Sequence, residues 1–359
     1  MQFRLQNINF AKRNLQQEKC LDEFKSIIKE DSYKNLSVCN VCDGKNFVEI
    51  SKIDRWNLKA STKLCIDCGY LFINPWLNDE IVNIFYKTVY RQIYKKFSIP
   101  TKEFYEAEKH RGIEIINYLI KNNLYDKNNN ALDVGCGSGA TSYIFSKLFK
   151  TCVGLDENKK YSSNVEESEN LKILNTNIHD KIFDNKKFDF INYCHTFEHL
   201  NDPISELKRL KDLISDDGII YIEVPGIKHI DYWFDGDFFS SLHFVHTHYF
   251  TLKTLTNFMQ KNHFKMICGD EVIRSIWKFE KNINRKITNE FEDVLSEIKK
   301  YDNFFRIKYI KLRNTTKKKL SFFMKKILKI SGIFKISKFL YYKLKGRKFI
   351  FHGKNIDNL

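Results

Sequence analysis

The chain has 359 residues, 43% of them hydrophobic, which suffices for one sizeable core and an accessory unit. No run reaches the roughly 18 uncharged apolar residues of a spanning helix, and the N-terminus lacks the apolar core of a signal peptide, so we expect a cytoplasmic protein. The net charge of +16 belongs to residues 306–348, which hold sixteen Lys or Arg and no Asp or Glu. The rest of the chain is neutral overall, which disfavours a nucleic-acid-binding face on the folded body.

The N-terminal part contains two cysteine pairs. After a polar, helical lead-in over residues 1–36, residues 37–77 hold CNVC and CIDC, separated by 22 residues. Four thiolates at this spacing suit a closed, tetrahedral zinc site. A redox-active pair is the alternative, but two matched pairs in a non-secreted chain favour structural zinc. The predicted ligands are Cys39, Cys42, Cys65 and Cys68.

Two helices are predicted over residues 78–127, which we interpret as a helical linker and cofactor lid. The first opens with Asn78 as its cap and acidic residues in its first turn. The second runs from about residue 103 to 121. Its predicted apolar side consists of Ile113, Ile116, Tyr118 and Ile120.

Residues 128–280 alternate between short apolar strands and helices. Strands are predicted at 131–134, 151–156, 187–194 and 218–224, and helices at 140–149 and 204–214. This alternation predicts a parallel, doubly wound α/β sheet. Residues 281–359 follow as a basic helical tail.

A glycine-rich loop, LDVGCGSGA at 132–140, joins the first strand of this sheet to a helix. Glycines at this junction let a ligand approach the backbone, and the helix N-terminus offers free N–H groups. Asp156 ends the next strand, about 20 residues past the first glycine. In dinucleotide-binding folds an acid at this position binds the ribose hydroxyls. Asp133, under the loop, suits an ammonium-bearing ligand better than a pyrophosphate. A glycine-rich turn in some other nucleotide-binding fold is the alternative.

Four segments, LDVGCGSG, VGLD, FDFINYCHTFEHLNDP and DDGIIYIEVPG, together resemble the class I S-adenosylmethionine-dependent methyltransferases. The resemblance covers about residues 125–275 and implies a Rossmann-like sheet. By it, the glycines would line the methionine half of the cofactor and Asp133 would bind its amino group through water. Asp156 would bind the ribose, Asn177 and Ile178 the adenine, and His195 would lie beneath the sulfonium. The predicted glycines are Gly135, Gly137 and Gly139.

The cysteine segment and the helix after it resemble the zinc-ribbon module that precedes this domain in a bacterial subgroup. Many members of that subgroup act on sugars, and some are sugar C-methyltransferases. The resemblance implies a Rossmann-like methyltransferase sheet with an N-terminal zinc ribbon, and the charge pattern adds a C-terminal basic helical tail. It also implies that Phe85, Tyr86 and Tyr90 lie near the cofactor, with Tyr90 against it.

Two histidine-containing segments carry the predicted acceptor chemistry. Glu198 and His199, in EHLNDP, are compatible with metal or acid–base chemistry, but the resemblance favours a role in the strand-to-helix turn. SSLHFVHTHYFT, at 240–251, follows the fifth strand, where such sheets bind substrate. It places His243, His246 and His248 within six positions.

His246 falls at the base position of the sugar C-methyltransferases, but that family's neighbouring Glu and Tyr are replaced by Val245 and His243. Deprotonating a hydroxyl demands less of a base than deprotonating carbon. The sequence therefore predicts O-methylation, with His246 as the leading base and His248 as the second. The alternatives are buried structural histidines, a second metal site with Asp235 or Asp237, and catalysis without a base.

The expected function is O-methylation of a sugar or glycan precursor in surface polysaccharide biosynthesis. The expected acceptor is a sugar, a nucleotide-sugar or a lipid-linked glycan. Alternatives are C-methylation of a nucleotide-linked ketosugar, RNA methylation, and a non-catalytic cofactor-binding scaffold. The 306–348 tail interleaves lysines with aromatic and aliphatic residues, which suits an anionic membrane surface and a peripheral location on its inner face, or packing on the body. Nucleic acid is a disfavoured partner.

Overall fold

The computed structural model describes residues 14–94, 100–159, 161–162, 165–234 and 236–302, and positions 309, 312, 315 and 316. The chain divides into two compact units after Asp302, and all the elements below belong to the first. Apart from the four isolated positions, the predicted membrane-binding tail at 306–348 lies outside the described residues. Among the described helices, none combines the length and apolar character needed to cross a bilayer.

The N-terminal region opens with one helix and continues as short strands. The helix begins at a capping box, in which the Asn14 side chain accepts from the Gln17 N–H and the Gln17 side chain accepts from the Asn14 N–H. The elements are α1 (Leu15–Ile27), β1 (Tyr33–Lys34), β2 (Phe47–Ile53), β3 (Lys59–Cys65), β4 (Leu71–Ile73) and β5 (Trp76–Leu77).

A distant segment completes the small sheet that β2, β3 and β4 form. Its fourth strand is β11 (His248–Tyr249), which pairs antiparallel with β4. His248 lies opposite Phe72, and Tyr249 lies opposite Leu71. The cysteine-containing module is therefore joined by backbone hydrogen bonds to the histidine segment.

The predicted helices after this module are present. They are α2 (Asp79–Ile84), α3 (Tyr90–Tyr94) and α4 (Lys102–Lys121), with one wider π turn over Phe85–Val89. Asn78 caps α2 as predicted, since its side chain accepts from the Ile81 N–H at 3.0 Å.

The apolar side predicted for α4 is wrong in part, because Ile120 is 40% exposed. The buried positions repeat at three- and four-residue intervals, and at Gly112 the helix approaches Ile144 so closely that a Cβ would lie 3.0 Å from the Ile144 Cβ. The buried residues of α4 are Tyr105, Gly112, Ile115, Ile116 and Leu119.

The large sheet has seven strands in the order β12–β13–β10–β9–β6–β7–β8. The five strands from β10 to β8 are parallel, which confirms the predicted α/β sheet. The sequence-based prediction did not include β12 and β13, which add antiparallel pairs at one edge. The strands are β6 (Asn130–Val134), β7 (Thr151–Leu155), β8 (Leu171–Leu174), β9 (Phe188–Cys194), β10 (Ile214–Glu223), β12 (Phe264–Gly269) and β13 (Arg274–Phe279).

The remaining helices connect these strands or follow the last one. They are α5 (Ala140–Leu148), α6 (Pro203–Leu213), α7 (Ile230–Trp233), α8 (Phe238–Ser241), α9 (Leu252–Lys261) and α10 (Phe291–Tyr301). In α10, Val294, Leu295 and Ile298 are buried in the same apolar cluster as α1 and the small sheet. The structural division therefore lies after α10, whereas the sequence placed the start of the tail at residue 281.

Candidate functional site

The carboxyl ends of β6, β7 and β9 open into a cleft of about 640 Å³, which α2, α3 and α4 also line. Most of the predicted cofactor-binding residues meet there. Those that line the cleft are Asp133, Gly135, Gly137, Asp156, Asn177, His195 and Tyr90. Tyr86 also lines it, whereas Phe85 is buried in the core.

Gly135 shows why the loop after β6 requires glycine. Its φ is +72°, and a Cβ there would lie 2.3 Å from Thr196 Oγ1. The Thr196 hydroxyl donates to the Val134 carbonyl at 3.1 Å, so the loop after β9 is held directly against the glycine loop. A side chain at Gly135 would separate two walls of the cleft.

Two predicted cofactor residues do not face the cleft. Gly139 starts α5 at φ +75°, and a Cβ there would lie 2.7 Å from Val165 Cγ2, so this glycine shapes the turn. The Ile178 side chain is fully buried in the apolar core, because an uncharged aliphatic group gains more from the core than from a polar cleft. The prediction that Ile178 edges the adenine is corrected for its side chain, whereas neighbouring Asn177 lines the cleft.

Both predicted acids are fixed by hydrogen bonds. Asp133 accepts from Ser142 Oγ at 2.5 Å and from Asn192 Nδ2 at 2.7 Å. Burial raises the pKa of Asp133 to about 6, although these two hydrogen bonds oppose the rise. Asp156 accepts from the Gly137 N–H at 2.9 Å, which ties the end of β7 to the glycine loop.

His195 follows β9 at φ +54° and lies between two carboxylates. Its Nδ1 is 3.6 Å from Glu198 Oε1, and its Nε2 is 3.5 Å from Glu223 Oε1. Burial opposes a charge on His195, but these two carboxylates raise its pKa. Burial likewise favours neutral Glu223, yet contacts with His195, Tyr221 and Arg111 lower the Glu223 pKa to about 2.

Arg111 is a cleft residue that the sequence-based prediction missed. It projects from α4, lines the cleft and donates to Cys194 Sγ at 3.6 Å. Glu108, one helical turn earlier, also lines the cleft. Two charged residues three positions apart on one helix face are a signal that the sequence does contain.

His199 is the histidine of the acceptor side that lines the cleft. Its Nδ1 lies 3.0 Å from the Val245 carbonyl oxygen and 2.8 Å from the Tyr86 hydroxyl. The tautomer with its proton on Nδ1 donates to the Val245 carbonyl and leaves a lone pair on Nε2. Burial lowers the pKa of His199, with Glu198 opposing, so the ring is a neutral base.

His246, the predicted leading base, packs edge-on against His199 with ring centroids 4.6 Å apart. It lines a smaller cavity, shared with Glu198 and His248, rather than the cleft itself. Burial lowers the pKa of His246 well below its usual value, and neighbouring His199 and Arg55 lower it further. Glu198, only 2% exposed, has Oε1 3.7 Å from His199 Nε2, and its Oε2 accepts no hydrogen bond from the described residues.

His248 has a structural environment, contrary to its prediction as a second base. Its Nδ1 is hydrogen-bonded to the Tyr70 hydroxyl, and its Nε2 lies 2.7 Å from the Leu200 carbonyl oxygen. Both ring nitrogens are therefore engaged, which leaves no lone pair for an acceptor. Burial lowers the pKa of His248 to about 4. His243 is also buried, and its Nδ1 accepts from the Val245 N–H at 3.1 Å.

The alternative second metal site is not assembled as predicted. Asp237 caps α8 by accepting from the Ser240 N–H at 3.2 Å, and Asp235 lies outside the described residues. In the described part of the chain, Glu198, His199 and His246 instead bring one potential ligand atom each within 4.8 Å of one another.

The four predicted cysteine ligands do come together, with their sulfur atoms within 4.8 Å of one another. The Sγ atoms of Cys39 and Cys68 are 3.7 Å apart, and those of Cys42 and Cys65 are 3.5 Å apart. Disulfide sulfurs would lie about 2.05 Å apart. A tetrahedral zinc ion with Zn–S bonds of about 2.3 Å requires sulfur–sulfur distances of roughly 3.8 Å, so the cluster fits such an ion.

Backbone N–H groups also point at the sulfurs of this cluster. Val41 N–H donates to Cys39 Sγ and Gly44 N–H donates to Cys42 Sγ, both at 3.4 Å. Such bonds stabilise thiolates, which is the form that binds metal. All four positions are taken by sulfur, so an ion here would have no open position for substrate.

Comparison with known proteins finds one matching family and several partial relatives. Residues 105–268 match the family described as a methyltransferase domain. The chain is 27% identical over 148 residues to a ubiquinone biosynthesis O-methyltransferase of Glaesserella parasuis serovar 5, covering 37% of this chain and 63% of that protein. It is 34% identical over 103 residues to the protein of the same name from Pelagibacter ubique, covering 27% of this chain and 42% of that protein.

The chain thus spans less than two thirds of the length of either relative. A similar solved structure is the Burkholderia thailandensis 1,6-didemethyltoxoflavin-N1-methyltransferase with bound 1,6-didemethyltoxoflavin and S-adenosylhomocysteine. It is 14% identical, with a TM-score of 0.43, over 60% of this chain and 98% of that one. Residues 105–268 thus match a methyltransferase domain, and their glycine loop, acids and parallel strands are consistent with a Rossmann-like methyltransferase fold.

Proposed function

We propose that the chain transfers a methyl group from S-adenosylmethionine to a hydroxyl oxygen of a sugar or glycan precursor. The observation that carries the choice of oxygen is His199 on the wall of the cofactor cleft, since burial lowers its pKa and a neutral ring can take a proton. The names of the two O-methyltransferase relatives support an oxygen acceptor. The sugar acceptor rests on the resemblance of the N-terminal module to its bacterial subgroup.

Bound S-adenosylmethionine supplies an electrophilic methyl group on a sulfonium. Asp156 and Asn177 would hold its adenosine half, and Asp133 with the glycine loop its methionine half. Arg111 would pair with its carboxylate, because it is the cationic group that α4 places in the cleft beside Cys194. These residues bind and orient, which supplies much of the rate of a direct displacement.

On the acceptor side, the hydroxyl oxygen would take the methyl group as the sulfur–carbon bond breaks, which would leave the sulfur as a neutral thioether. The hydroxyl proton passes to His199 Nε2, and the imidazolium that forms is stabilised by Glu198. His246 lies behind His199 at 4.6 Å and holds its ring in place. The proposal therefore moves the leading base from His246 to His199.

We further propose that Cys39, Cys42, Cys65 and Cys68 hold a structural zinc ion. The supporting observations are the sulfur spacing and the two N–H···S hydrogen bonds. A metal assay on the purified protein should find about one zinc per chain. A metal-free protein with four titratable thiols would contradict this proposal.

The test of the acceptor is S-adenosylhomocysteine release when nucleotide-sugars, lipid-linked glycans, RNA and acceptors from ubiquinone biosynthesis are offered in turn. With a ¹³C-labelled methyl donor, the carbon chemical shift of the product distinguishes O–CH₃ from C–CH₃. Release with a glycan acceptor and an O–CH₃ signal is expected. A C–CH₃ product would favour the ketosugar alternative, and turnover with RNA alone would refute the sugar proposal.

The basic segment 306–348 is proposed to bind an anionic membrane surface, on the ground of its sixteen basic and no acidic residues. Flotation with phosphatidylserine-containing and neutral vesicles, with and without residues 306–359, tests this. Binding of the full chain to anionic vesicles only is expected. Equal flotation of the full and shortened chains would contradict it.

A further inference from the structure

One chain of buried contacts connects the four-cysteine cluster to the turn that carries Glu198 and His199. It starts at Tyr70, two residues after Cys68, where the Tyr70 carbonyl accepts from the Cys65 N–H at 2.9 Å. The Tyr70 side chain is fully buried and stacks on Phe72 with ring centroids 5.2 Å apart. Its position is therefore fixed by the second cysteine pair.

The next contact is between Tyr70 and His248, which lies opposite Phe72 on the small sheet. The Leu200 carbonyl can only accept, so His248 Nε2 carries the proton and donates to it. Its Nδ1 must then accept from the Tyr70 hydroxyl. One neutral imidazole thus uses its donor on Leu200 and its acceptor on Tyr70.

The last contact reaches the acceptor wall. Leu200 directly follows the 3₁₀ turn Phe197–His199. Thr247, beside His248, donates to the same Leu200 carbonyl at 2.9 Å and also approaches the Glu198 carbonyl at 3.3 Å. The segment that pairs with the cysteine module therefore holds the 3₁₀ turn through these hydrogen bonds, while His199 lines the cleft.

We propose that Tyr70 and His248 are positioning residues that couple the metal-loaded state of the cysteine cluster to the placement of Glu198 and His199. Neither residue is proposed to touch substrate. The inference rests on the zinc site and acceptor wall proposed above, and it gives a reason for a closed metal site in this enzyme. A loosened cluster would release Tyr70, then His248, and so the 195–202 turn.

Hydrogen exchange of the backbone amides in residues 195–202, read by mass spectrometry, tests this without a known acceptor. These amides include those of His199 and Leu200, which donate within the turn. Tyr70→Phe removes only the hydroxyl, and we expect it to speed exchange there by roughly tenfold, the effect of one lost hydrogen bond. Tyr125→Phe is the matched control, since it removes a hydroxyl that donates to the Leu148 carbonyl at the end of α5, outside this chain of contacts.

Two variants of His248 test its hydrogen bond to Leu200 separately from its hydrogen bond to Tyr70. His248→Gln retains a donor near the Nε2 position and should keep the turn protected. His248→Asn cannot reach Leu200 and should expose it as Tyr70→Phe does. If His248→Asn fails to fold, the Tyr70→Phe result stands by itself. Equal exchange at 195–202 in Tyr70→Phe, Tyr125→Phe and the unaltered protein would overturn the proposal.

Metal removal by a chelator gives the second half of the test, with metal content measured on the same samples. In the unaltered protein, chelation should speed exchange both around the cysteines and at 195–202. In Tyr70→Phe, it should add much less at 195–202. Faster exchange confined to the cysteines would refute the coupling, whereas failure of the proposed function would show as absent S-adenosylhomocysteine release with normal coupling.

Discussion

The two walls of the cleft are built in different ways. The cofactor wall is local: the glycine loop, Asp133 and Asp156 come from two consecutive strands, and Asp156 accepts directly from the Gly137 N–H. The acceptor wall is assembled from separate segments, with the 195–202 turn, the 243–249 segment and the cysteine module contributing one layer each. We therefore expect that single changes in the cofactor wall alter cofactor affinity, whereas changes in the acceptor wall alter turnover.

A second hydrogen bond joins the histidine segment of the acceptor wall to the N-terminal module. The buried Asp54, in the turn between β2 and β3, accepts from the Phe244 N–H at 3.1 Å. Burial raises the pKa of Asp54 to about 6, although its backbone hydrogen bonds oppose the rise. The histidine segment is thus held by the N-terminal module at both Phe244 and His248. The small sheet acts as a support for the acceptor wall.

The largest expected effect is that of His199→Ala. Removing the proposed base should lower turnover by about 10²- to 10⁴-fold, while the S-adenosylmethionine Kd stays within about twofold. His246→Ala should cost less, about tenfold, because His246 supports the base without lining the cleft. Initial rates and calorimetric titration measure the two quantities.

His263→Asn is the matched control for both changes. His263 is exposed and has a positive φ, which Asn tolerates well. Its replacement should leave turnover unchanged. A greater loss in His246→Ala than in His199→Ala would restore His246 as the base.

The cofactor wall is tested by Gly135→Ala. A Cβ would meet Thr196 at 2.3 Å in a backbone conformation that costs about 1–3 kcal/mol for other residues, so the S-adenosylmethionine Kd should rise about 10- to 100-fold. Gly137→Ala is the comparison, because its Cβ would meet nothing closer than Tyr161 at 3.5 Å. Equal affinities of the two variants would show that contact with Thr196 is unimportant.

Loss of the metal site should also lower turnover more than cofactor affinity, but by less than the changes at His199. Because the cysteine cluster supports the acceptor wall, Cys65→Ser should lower turnover about tenfold while the S-adenosylmethionine Kd changes by less than about twofold. Cys268→Ser, which alters a cysteine outside the cluster, serves as its control. A parallel loss of cofactor affinity and turnover would indicate that the whole body, rather than one wall, depends on the metal.

The same contrast explains what the sequence could predict. The glycine loop and Asp156 belong to adjacent elements with a fixed spacing, so pattern and position agree with the structure. The contact of His248 with Tyr70 joins residues 178 positions apart, and neither residue type indicates which partner it will contact. Spacing likewise could not tell that Gly139 shapes a turn or that Ile178 points into the core, because both depend on which neighbour packs against them.

The last expected effect is a pH dependence of stability from the acceptor wall, which concerns folding and leaves turnover aside. Burial lowers the pKa of His248 to about 4, below the roughly 6.5 of an unfolded histidine. Between these values the unfolded chain binds a proton that the folded chain refuses, so His248 stabilises the fold above pH 6.5. That contribution is lost as the pH falls toward 4, by at most about 3 kcal/mol.

Urea unfolding at several pH values should therefore show a shallower pH dependence of the free energy of unfolding for His248→Gln, which cannot titrate, than for the unaltered protein. His263→Asn should keep the original slope, since the exposed side chain lies outside the wall. Identical slopes in all three proteins would mean that burial does not keep His248 neutral, and the acceptor wall would then be less tightly closed than the cofactor wall beside it.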